Sequence, residues 1–438
     1  MFRTIDNALS QWKDKKTRLP LVLNGARQVG KTYSLKEFGK THFQNIVYIN
    51  LEVNANVNAF FDGDLGAQRI IQYLETVAEC RIVAETSLIV FDEIQSCPRA
   101  LLSLKSFAED APQYHIVAAG SLLGVAINRE QFSFPVGKVD EITMFPMDFG
   151  EYLLAIGRQR LKDDIELHYK SLQPMENSLH KEAMNEFKKY LIIGGMPACI
   201  NEYLASNSFL AVRDIQGRIL NEYIADMAKY ANNATAVKIR ASYESIPVQL
   251  AKENAKFQYK VVQKGGTATI FGEAIEWLNF SGITLKCKKI DHGFMPISTY
   301  TDISDFKMYM GDVGLLAAKS GMAIQTILSD YESDNYFLGM IIENYAAQAL
   351  TSNGFPLHYW KNNNTAELDF VIQFDNIVIP IEVKKGKHTK SISFNMFLKK
   401  YSSPYGLRFS TKAFGFENKI KSIPLYAVWL LRSIHNPM

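Results

Sequence analysis

The most specific pattern in the chain is the stretch Gly25-Ala26-Arg27-Gln28-Val29-Gly30-Lys31-Thr32. It fills every fixed position of G-x-x-x-x-G-K-[ST], a loop whose backbone N–H groups can surround phosphates. The apolar run Pro20–Asn24 before it predicts a buried strand, and residues 33–39 after it predict a helix that continues from the loop. Since the pattern lies between a strand and a helix, it predicts a nucleoside triphosphate site.

Each fixed residue type in this loop has a chemical reason. Glycines at 25 and 30 permit backbone angles that a Cβ disfavours. Lys31 is expected to reach the β- and γ-phosphates, and the Thr32 hydroxyl is placed to ligate Mg²⁺. ATP and Mg²⁺ are therefore the cofactors that the sequence predicts. The nucleotide is expected to contact the whole loop: Gly25, Ala26, Arg27, Gln28, Val29, Gly30, Lys31 and Thr32.

A second apolar run, Ser87–Phe91, ends in the two acids Asp92 and Glu93. Asp92 at the tip of a buried strand can hold Mg²⁺, and Glu93 next to it can deprotonate a water molecule beside the γ-phosphate. Two adjacent acids could instead cap the turn that follows. With a phosphate loop upstream, the pair favours hydrolysis of the nucleotide as well as binding.

A third apolar run, residues 115–120, ends at Ser121. This side chain either contacts the γ-phosphate or caps a helix, and the sequence leaves both interpretations open. A further strand over 138–144 is followed by a helix through Leu154. Strands that alternate with helices predict an α/β fold, a P-loop NTPase parallel sheet with helices on both faces and its strand tips along one edge.

Five segments together resemble the predicted AAA-type (ASCE P-loop) ATPases of bacteria and archaea that carry a C-terminal domain of unknown function. The resemblance implies an ATPase domain over residues 1–150. It also implies that Lys31 and Glu93 act in catalysis, that Thr32 and Asp92 hold the metal, and that Ser121 is the sensor. The segments are 25–32, 91–95 (Phe-Asp-Glu-Ile-Gln), 119–121 (Ala-Gly-Ser), 145–149 (Phe-Pro-Met-Asp-Phe) and 194–197 (Gly-Gly-Met-Pro).

Composition places the chain among globular proteins of more than one domain, with 438 residues, 47% apolar and 21% charged. No apolar run is long enough to span a bilayer, and the N-terminus lacks the layout of a signal peptide, so we expect a cytoplasmic protein without a membrane partner. The four cysteines are far apart and indicate neither a zinc site nor a disulfide framework. The oligomeric state is left open.

The middle of the chain is predicted to be helical. Residues 151–235 have helical spacing and are expected to form a lid or connector. Over 236–325, helices at Ile239–Glu253 and Thr267–Phe280 precede two strands, Thr284–Lys289 and Pro296–Thr301, which outline a winged-helix domain. The segment Ala274–Leu278 would be its recognition helix. Because that segment carries no arginine, packing or partner docking is an alternative to DNA reading.

The last part of the chain, residues 326–438, contains a predicted hairpin. Two alternating apolar runs meet at Asp375-Asn376, residue types that tolerate positive φ in a two-residue turn. That turn sets a register in which Asp369 faces Glu382 across the hairpin. Two carboxylates so close are unfavourable without a cation between them. Lys384, two residues beyond Glu382, would project from the same face.

The spacing of these three residues resembles the PD-(D/E)xK nuclease superfamily, with Glu343 in the place of the acid on its first helix. The resemblance implies an α/β nuclease-like domain and a second Mg²⁺ or Mn²⁺ site held by Asp369 and Glu382, for metal-assisted phosphodiester hydrolysis. The alternative is that the fold persists without activity, or that these residues are polar positions on a half-buried sheet.

Charge adds evidence for the partner of this last region. Residues 361–438 contain twelve Lys and Arg against five Asp and Glu, a net charge of +7, whereas the whole chain carries only +3. A basic domain suggests DNA or RNA, although a solvated lysine-rich surface explains the count as well. The sequence therefore predicts a Mg²⁺-dependent ATPase that couples its nucleotide state to a nuclease-like, nucleic-acid-associated domain. The alternative is an ATP-dependent switch or interaction module whose nuclease-like domain is inactive.

Overall fold

The computed structural model describes residues 1–121, 135–230, 233–252, 255–329, 336–362, 366–386 and 392–434. The chain divides into two compact units. The first comprises residues 1–145, 225–236 and 276–282, and the second comprises residues 146–224, 237–275 and 283–438. In this described part of the chain, no helix is long and apolar enough to cross a bilayer.

The first unit contains a five-stranded sheet in which every neighbouring pair of strands is parallel. The order across the sheet is β2-β3-β4-β1-β5. The parallel sheet with flanking helices confirms the predicted P-loop NTPase architecture of this region. The strands are β1 Leu21–Asn24, β2 Asn45–Asn50, β3 Ser87–Asp92, β4 His115–Ala119 and β5 Asp140–Thr143.

The centre of this sheet is apolar on both faces. All six residues of β3 are buried, as expected for a parallel strand covered on two sides. Successive side chains point to opposite faces, so Ile89 and Phe91 share one face and pack in a cluster with Leu74 and Leu104 from two neighbouring helices. The helices of this unit are Ile5–Asp14, Lys31–His42, Ala55–Phe60, Ala67–Ala78 and Pro98–Asp110, and a 3-10 helix covers Ile94–Ser96.

The register of the strands brings their carboxyl ends to one edge. Leu23 of β1 is paired with Ala119 of β4, and Phe91 of β3 is paired with Ala118 of β4. The phosphate loop after β1, the acids at the end of β3 and Ser121 after β4 therefore leave the sheet at the same edge, which is where ligands of open α/β sheets bind.

The region predicted to be a connector is helical. The helix Phe149–Ala155 begins with a capping box. The Asp148 side chain accepts a hydrogen bond from the Glu151 N–H, and the Glu151 side chain accepts one from the Asp148 N–H. Some of the remaining helices begin in one unit and end in the other. The remaining helices are Gln159–Ser171, Asn177–Ile193, Pro197–Ser206, Phe209–Tyr230, Asn233–Leu250, Tyr259–Val262, Ala268–Phe280, Val313–Lys319, Ile324–Leu328, Tyr336–Ser352 and Ile392–Lys400. Glu253, the predicted end of one helix, lies outside the described residues.

The described strands of the second unit form two sheets. Their orders are β7-β6-β8-β9 and β10-β11-β12-β14-β13. A 3-10 helix, Leu425–Ile434, follows the last strand. The strands are β6 Thr284–Ile290, β7 Thr301–Met310, β8 His358–Asn362, β9 Ala366–Leu368, β10 Phe370–Phe374, β11 Ile377–Val383, β12 Gly406–Ser410, β13 Gly415–Glu417 and β14 Ile420–Pro424.

The region predicted to be a winged helix differs from its expected outline. β6 and β7 are antiparallel, but β7 begins only at Thr301, because Ile297–Tyr300 forms a 3-10 helix instead of the predicted strand. β6 also pairs with β8, so the hairpin belongs to a four-stranded sheet that continues past the predicted domain boundary at residue 325. A winged helix at 236–325 therefore stays a prediction.

The predicted C-terminal hairpin register is confirmed for the paired residues. Phe370 lies opposite Ile381 and Phe374 opposite Ile377, and Asp375 in the turn has a φ of 47°. Asp369 itself belongs to neither strand. It lies between β9 and β10, where the chain passes from one sheet of the second unit to the other.

Candidate active site

The phosphate loop requires glycine at its first position. Gly25 has a φ of 150°, and a Cβ there would lie 2.3 Å from the carbonyl oxygen of Met144, the residue after β5, so any side chain would push the loop away from this backbone. Gly30, at a φ of 101°, starts the helix Lys31–His42 from a left-handed conformation. Gln28 also has a positive φ, of 67°. These angles form the loop between β1 and the helix N-terminus that the sequence predicts.

Lys31 points back into this loop. Its ammonium group donates hydrogen bonds to the carbonyl oxygens of Gly25 at 2.8 Å and Ala26 at 2.9 Å. Burial lowers the pKa of Lys31 to about 8, although the carboxylates of Glu93 and Asp92 oppose the shift. A pKa near 8 leaves the ammonium charged at neutral pH, so a buried cation is available for phosphate.

Asp92 is the centre of a hydrogen-bond cluster at the end of β3. Its Oδ2 accepts the Thr32 hydroxyl and the Tyr48 hydroxyl, both at 2.6 Å, and its Oδ1 accepts the Glu93 N–H at 3.0 Å. Thr32 and Asp92 thus present a hydroxyl and a carboxylate side by side, and such hard oxygen ligands suit Mg²⁺. Both residues fit as its holders, and bound Mg²⁺ would neutralise charge on the phosphates.

Glu93 follows in a left-handed conformation, with a φ of 53° and a ψ of 46°. Its carboxylate Oε2 accepts a hydrogen bond from Nε2 of Gln95. Gln95 is buried, and its other amide atom, Oε1, has no hydrogen-bond partner among the described residues. Neither Tyr48 nor Gln95 was expected from the sequence as a site residue, although Gln95 lies within the segment that carries the family resemblance.

Ser121 lies just beyond β4 and is 5% exposed. Its position at the strand-tip edge agrees with either predicted role, contact with the γ-phosphate or capping of a helix. The residues that follow, 122–134, lie outside the described part of the chain, so the role of Ser121 stays a prediction.

Arg27 in the phosphate loop forms an ion pair with Asp226, which is 199 positions away in the sequence and belongs to the same unit. The Asp226 side chain is only 4% exposed, whereas that of Arg27 is 38% exposed. Burial raises the pKa of Asp226, and Arg27 opposes this shift. A buried carboxylate therefore lies against the loop that is expected to bind phosphates, and no local sequence signal could have indicated it.

Two of the predicted nuclease residues, Glu343 and Asp369, lie around a buried lysine of the second unit, Lys307. Glu343, on the helix Tyr336–Ser352, accepts hydrogen bonds from the Lys307 ammonium at 3.2 Å and from the Tyr309 hydroxyl. Glu367 contacts the same ammonium at 2.9 Å. Burial alone would lower the pKa of Lys307, but Glu343, Glu367 and Asp369 outweigh it and raise that pKa well above its ordinary value. We call Lys307, Glu343, Glu367 and Asp369 the lysine-centred cluster.

Asp369 interacts with the charged groups of this cluster and accepts one hydrogen bond from the backbone. Its Oδ2 accepts the Val383 N–H at 2.7 Å. Burial and the charge of Glu343 raise the pKa of Asp369 to about 7, while Lys307 and Lys384 act in the opposite direction. Asp369 therefore keeps its proton to a higher pH than an ordinary aspartate does.

Glu382 has its own cationic partners. Across the β11–β12 pairing it lies opposite Arg408, whose Nε donates to its Oε2 at 3.1 Å. The Lys384 ammonium lies 3.3 Å from its Oε1, and the Lys384 side chain is 39% exposed. The structure therefore brings Glu382 and Lys384 together as predicted, but it adds an arginine that the motif did not indicate.

These contacts do not fit a divalent cation held by Asp369 and Glu382. Ammonium or guanidinium groups already neutralise Glu343, Glu367 and Glu382, and the Asp369 carboxylate accepts the Val383 N–H. Across the described residues, no group of three or more His, Cys, Asp and Glu is arranged to hold a metal ion. The predicted second Mg²⁺ or Mn²⁺ site is not supported by this arrangement.

Comparison with protein families agrees with the first site. Residues 17–153 match a family model described as an AAA domain. Two further models, both described as domains of unknown function (DUF8612 and DUF4143), match residues 184–326 and 338–428. No curated protein matches the chain.

Among solved structures, the chain is similar to the Walker-type ATPase of Pyrococcus abyssi, at 14% identity over 72% of this chain and 94% of that one, with a TM-score of 0.43. The ORC2 protein of Aeropyrum pernix matches at 13% identity over 74% and 94%, with a TM-score of 0.38. DnaA from Aquifex aeolicus matches at 12% identity over 64% and 89%, with a TM-score of 0.27. Likenesses this distant say nothing about partners. The matched model and the phosphate-loop geometry identify residues 17–153 as an AAA-type P-loop ATPase domain.

Proposed function

We propose that this ATPase is an ATP-dependent switch whose nuclease-like C-terminal domain, residues 326–438, binds DNA or RNA without cleaving it. The observation that carries the proposal is the Lys307 ammonium, which lies 3.2 Å from Glu343 and 2.9 Å from Glu367. Acids at these positions need a cation between them, and here the protein supplies that cation itself.

A buried amine is a different cation from a metal ion. It neutralises the carboxylates and holds their positions, but it lacks the open coordination sites through which a metal polarises phosphate or activates water. Lys307 is 2% exposed, so phosphate cannot approach it from solvent. The cluster therefore supports a structural role for acids whose sequence pattern resembles a nuclease.

The charge of this region favours a polyanionic partner. Residues 361–438 carry a net charge of +7, and Lys399 and Lys400 are exposed at the end of the helix Ile392–Lys400. Exposed lysines that are not locked in buried pairs can contact phosphates, and this kind of binding depends strongly on salt.

In this proposal, the bound nucleotide determines how strongly the protein binds nucleic acid. In this proposal Lys31 and Thr32 bind phosphate and Mg²⁺ and Glu93 activates the attacking water, and hydrolysis converts an ATP-bound state into a distinct ADP-bound one. A Glu93→Gln variant, which keeps the side-chain size but cannot accept a proton, is expected to hold the ATP state. Lys31→Ala should remove nucleotide binding and serves as the nucleotide-free control.

The test measures binding of labelled single-stranded DNA, duplex DNA and RNA by fluorescence anisotropy. Glu93→Gln with ATP, wild type with ADP, and Lys31→Ala are compared at rising salt. We expect at least one of these nucleic acids to bind with an affinity that falls with salt and differs between the ATP and ADP states. The double variant Asp369→Asn, Glu382→Gln should still bind.

Two outcomes would contradict the proposal in different ways. Cleavage of the labelled strands in Mn²⁺ that is lost in Glu382→Ala would make the domain an active nuclease, which was the other prediction from the sequence. Binding to none of the three nucleic acids at low salt would indicate a protein partner. ATP hydrolysis in wild type, measured alongside, keeps either result separate from a failure of the ATPase itself.

A further inference from the structure

We propose that Gln95, together with Glu93, holds the water molecule that attacks the γ-phosphate. In this step the water oxygen forms a bond to the γ-phosphorus, and the bond between that phosphorus and the ADP oxygen breaks, with its electron pair leaving on ADP. The water proton passes to the Glu93 carboxylate. Gln95 is unchanged, and its carbonyl oxygen accepts the second O–H of the water.

The position of Gln95 is fixed by its contact with Glu93. Gln95 lies in the 3-10 helix Ile94–Ser96, immediately after Glu93, and it donates a hydrogen bond from Nε2 to Glu93 Oε2. An ionised carboxylate can only accept hydrogen bonds, so the amide must turn its NH₂ group toward Glu93. This leaves Oε1, the other polar atom of the same amide group, as an acceptor.

That acceptor has no partner among the residues that the structure describes. Gln95 itself is 7% exposed. A buried amide oxygen without a partner is costly, and such groups in folded proteins usually meet water or a ligand. Because Nε2 is already bonded to the expected general base, a water that donates to Oε1 would lie beside Glu93, as a nucleophile must.

Gln95 is also positioned by its packing against Gly120, just after β4. A Cβ on Gly120 would lie 2.6 Å from Gln95 Oε1 and 2.9 Å from Ile94 Cγ2. Gln95 Oε1 therefore packs against the glycine that precedes Ser121, on the strand-tip edge where the phosphate loop also lies. The left-handed backbone of Glu93, with a φ of 53°, turns the chain so that Glu93 and Gln95 can meet, and strained conformations of this kind concentrate at functional sites.

The main test is Gln95→Met, which keeps the length of the side chain and removes both polar atoms. If Gln95 holds the attacking water, kcat for ATP hydrolysis should fall about 10- to 100-fold, since a bond in the charged network is lost from the transition state. The dissociation constant for labelled ATP should stay within about twofold, because Gln95 acts on water and not on the phosphates. Ser96→Ala, in the same 3-10 helix, should keep wild-type kcat.

A second variant keeps the proposal testable if Gln95→Met does not fold. In Gln95→Glu the protonated side chain can still donate to Glu93 and accept from water, but the ionised one repels Glu93. Its kcat relative to wild type should therefore rise as the pH is lowered. An unchanged kcat in Gln95→Met, or a flat ratio for Gln95→Glu, overturns the proposal. A higher kcat in either variant also overturns it, because Gln95 would then restrain Glu93 instead of helping it.

Discussion

The Tyr48 hydroxyl donates a hydrogen bond to Oδ2 of Asp92 at 2.6 Å, the same oxygen that accepts the Thr32 hydroxyl. Tyr48 lies on β2, which pairs with β3 so that Tyr48 is level with Val90, two residues before Asp92. Hydrogen bonds to a metal-binding carboxylate fix its orientation, and their loss commonly weakens metal affinity. We therefore propose that Tyr48 is a positioning residue for the predicted Mg²⁺ site.

Tyr48→Phe should raise the Mg²⁺ concentration needed for half-maximal ATP hydrolysis by about tenfold, because Asp92 loses one of the donors that orient it. The aromatic ring stays, and with it the Lys36 ammonium that lies 4.0 Å from the ring centroid. The measurement is a Mg²⁺ titration of ATPase activity at saturating ATP. Wild-type Mg²⁺ dependence in Tyr48→Phe would show that Thr32 and the backbone suffice to hold Asp92.

The first unit was predictable because its signals are local. A strand, the phosphate loop and a helix follow one another within residues 20–42, and the two acids end a strand that is buried throughout. The contacts that complete the site are not local. Tyr48 reaches Asp92 from the neighbouring strand, and Asp226 reaches Arg27 across 199 positions, so only the folded chain brings these pairs together.

The sequence predicted the pairing of β10 with β11 correctly, because a local turn determines it. It did not predict the cations that contact the acids of this region, because they come from distant parts of the chain. The turn at Asp375 fixes the register of β10 and β11, which the sequence gives directly. Lys307 comes from β7, whose position the sequence pattern misplaced, and Arg408 comes from β12, whose pairing with β11 needs a long connection. The spacing of the acids and the lysine in the sequence therefore could not indicate that Lys307 and Arg408 neutralise those acids.

Asp369 should make the stability of the second unit depend on pH. Its pKa is raised to about 7, whereas an unfolded chain releases this proton near pH 4. Between these values the folded chain binds a proton that the unfolded chain does not, so the free energy of unfolding falls as the pH rises from about 4 to about 7. Asp369→Asn keeps an oxygen for the Val383 N–H and removes the charge. We expect it to be more stable than wild type at pH 8, by about 1–3 kcal/mol, and similar at pH 5.

Urea unfolding followed by tryptophan fluorescence at both pH values measures this difference. The matched control is Asp375→Asn, which removes the same charge from an exposed turn residue whose positive φ asparagine accepts well. The control should show no such dependence on pH. If Asp369→Asn were less stable than wild type at pH 8, the ionised carboxylate would be stabilising the cluster, contrary to the raised pKa.

The ion pair of Arg27 with Asp226 predicts how the affinity of the phosphate loop for ATP and ADP depends on the charge of Asp226. A buried carboxylate beside this loop repels phosphates, and ATP carries one more negative charge than ADP, so Asp226→Asn should tighten ATP binding about three- to tenfold and ADP binding less. The amide still accepts a hydrogen bond from Arg27. Titration of labelled nucleotides without Mg²⁺ measures both constants. Lys138→Gln, which breaks the Lys138–Glu109 pair of side chains that are both 41% exposed, is the control and should leave both constants unchanged. Weaker ATP binding in Asp226→Asn would instead mean that Asp226 holds Arg27 in the position from which it contacts phosphate.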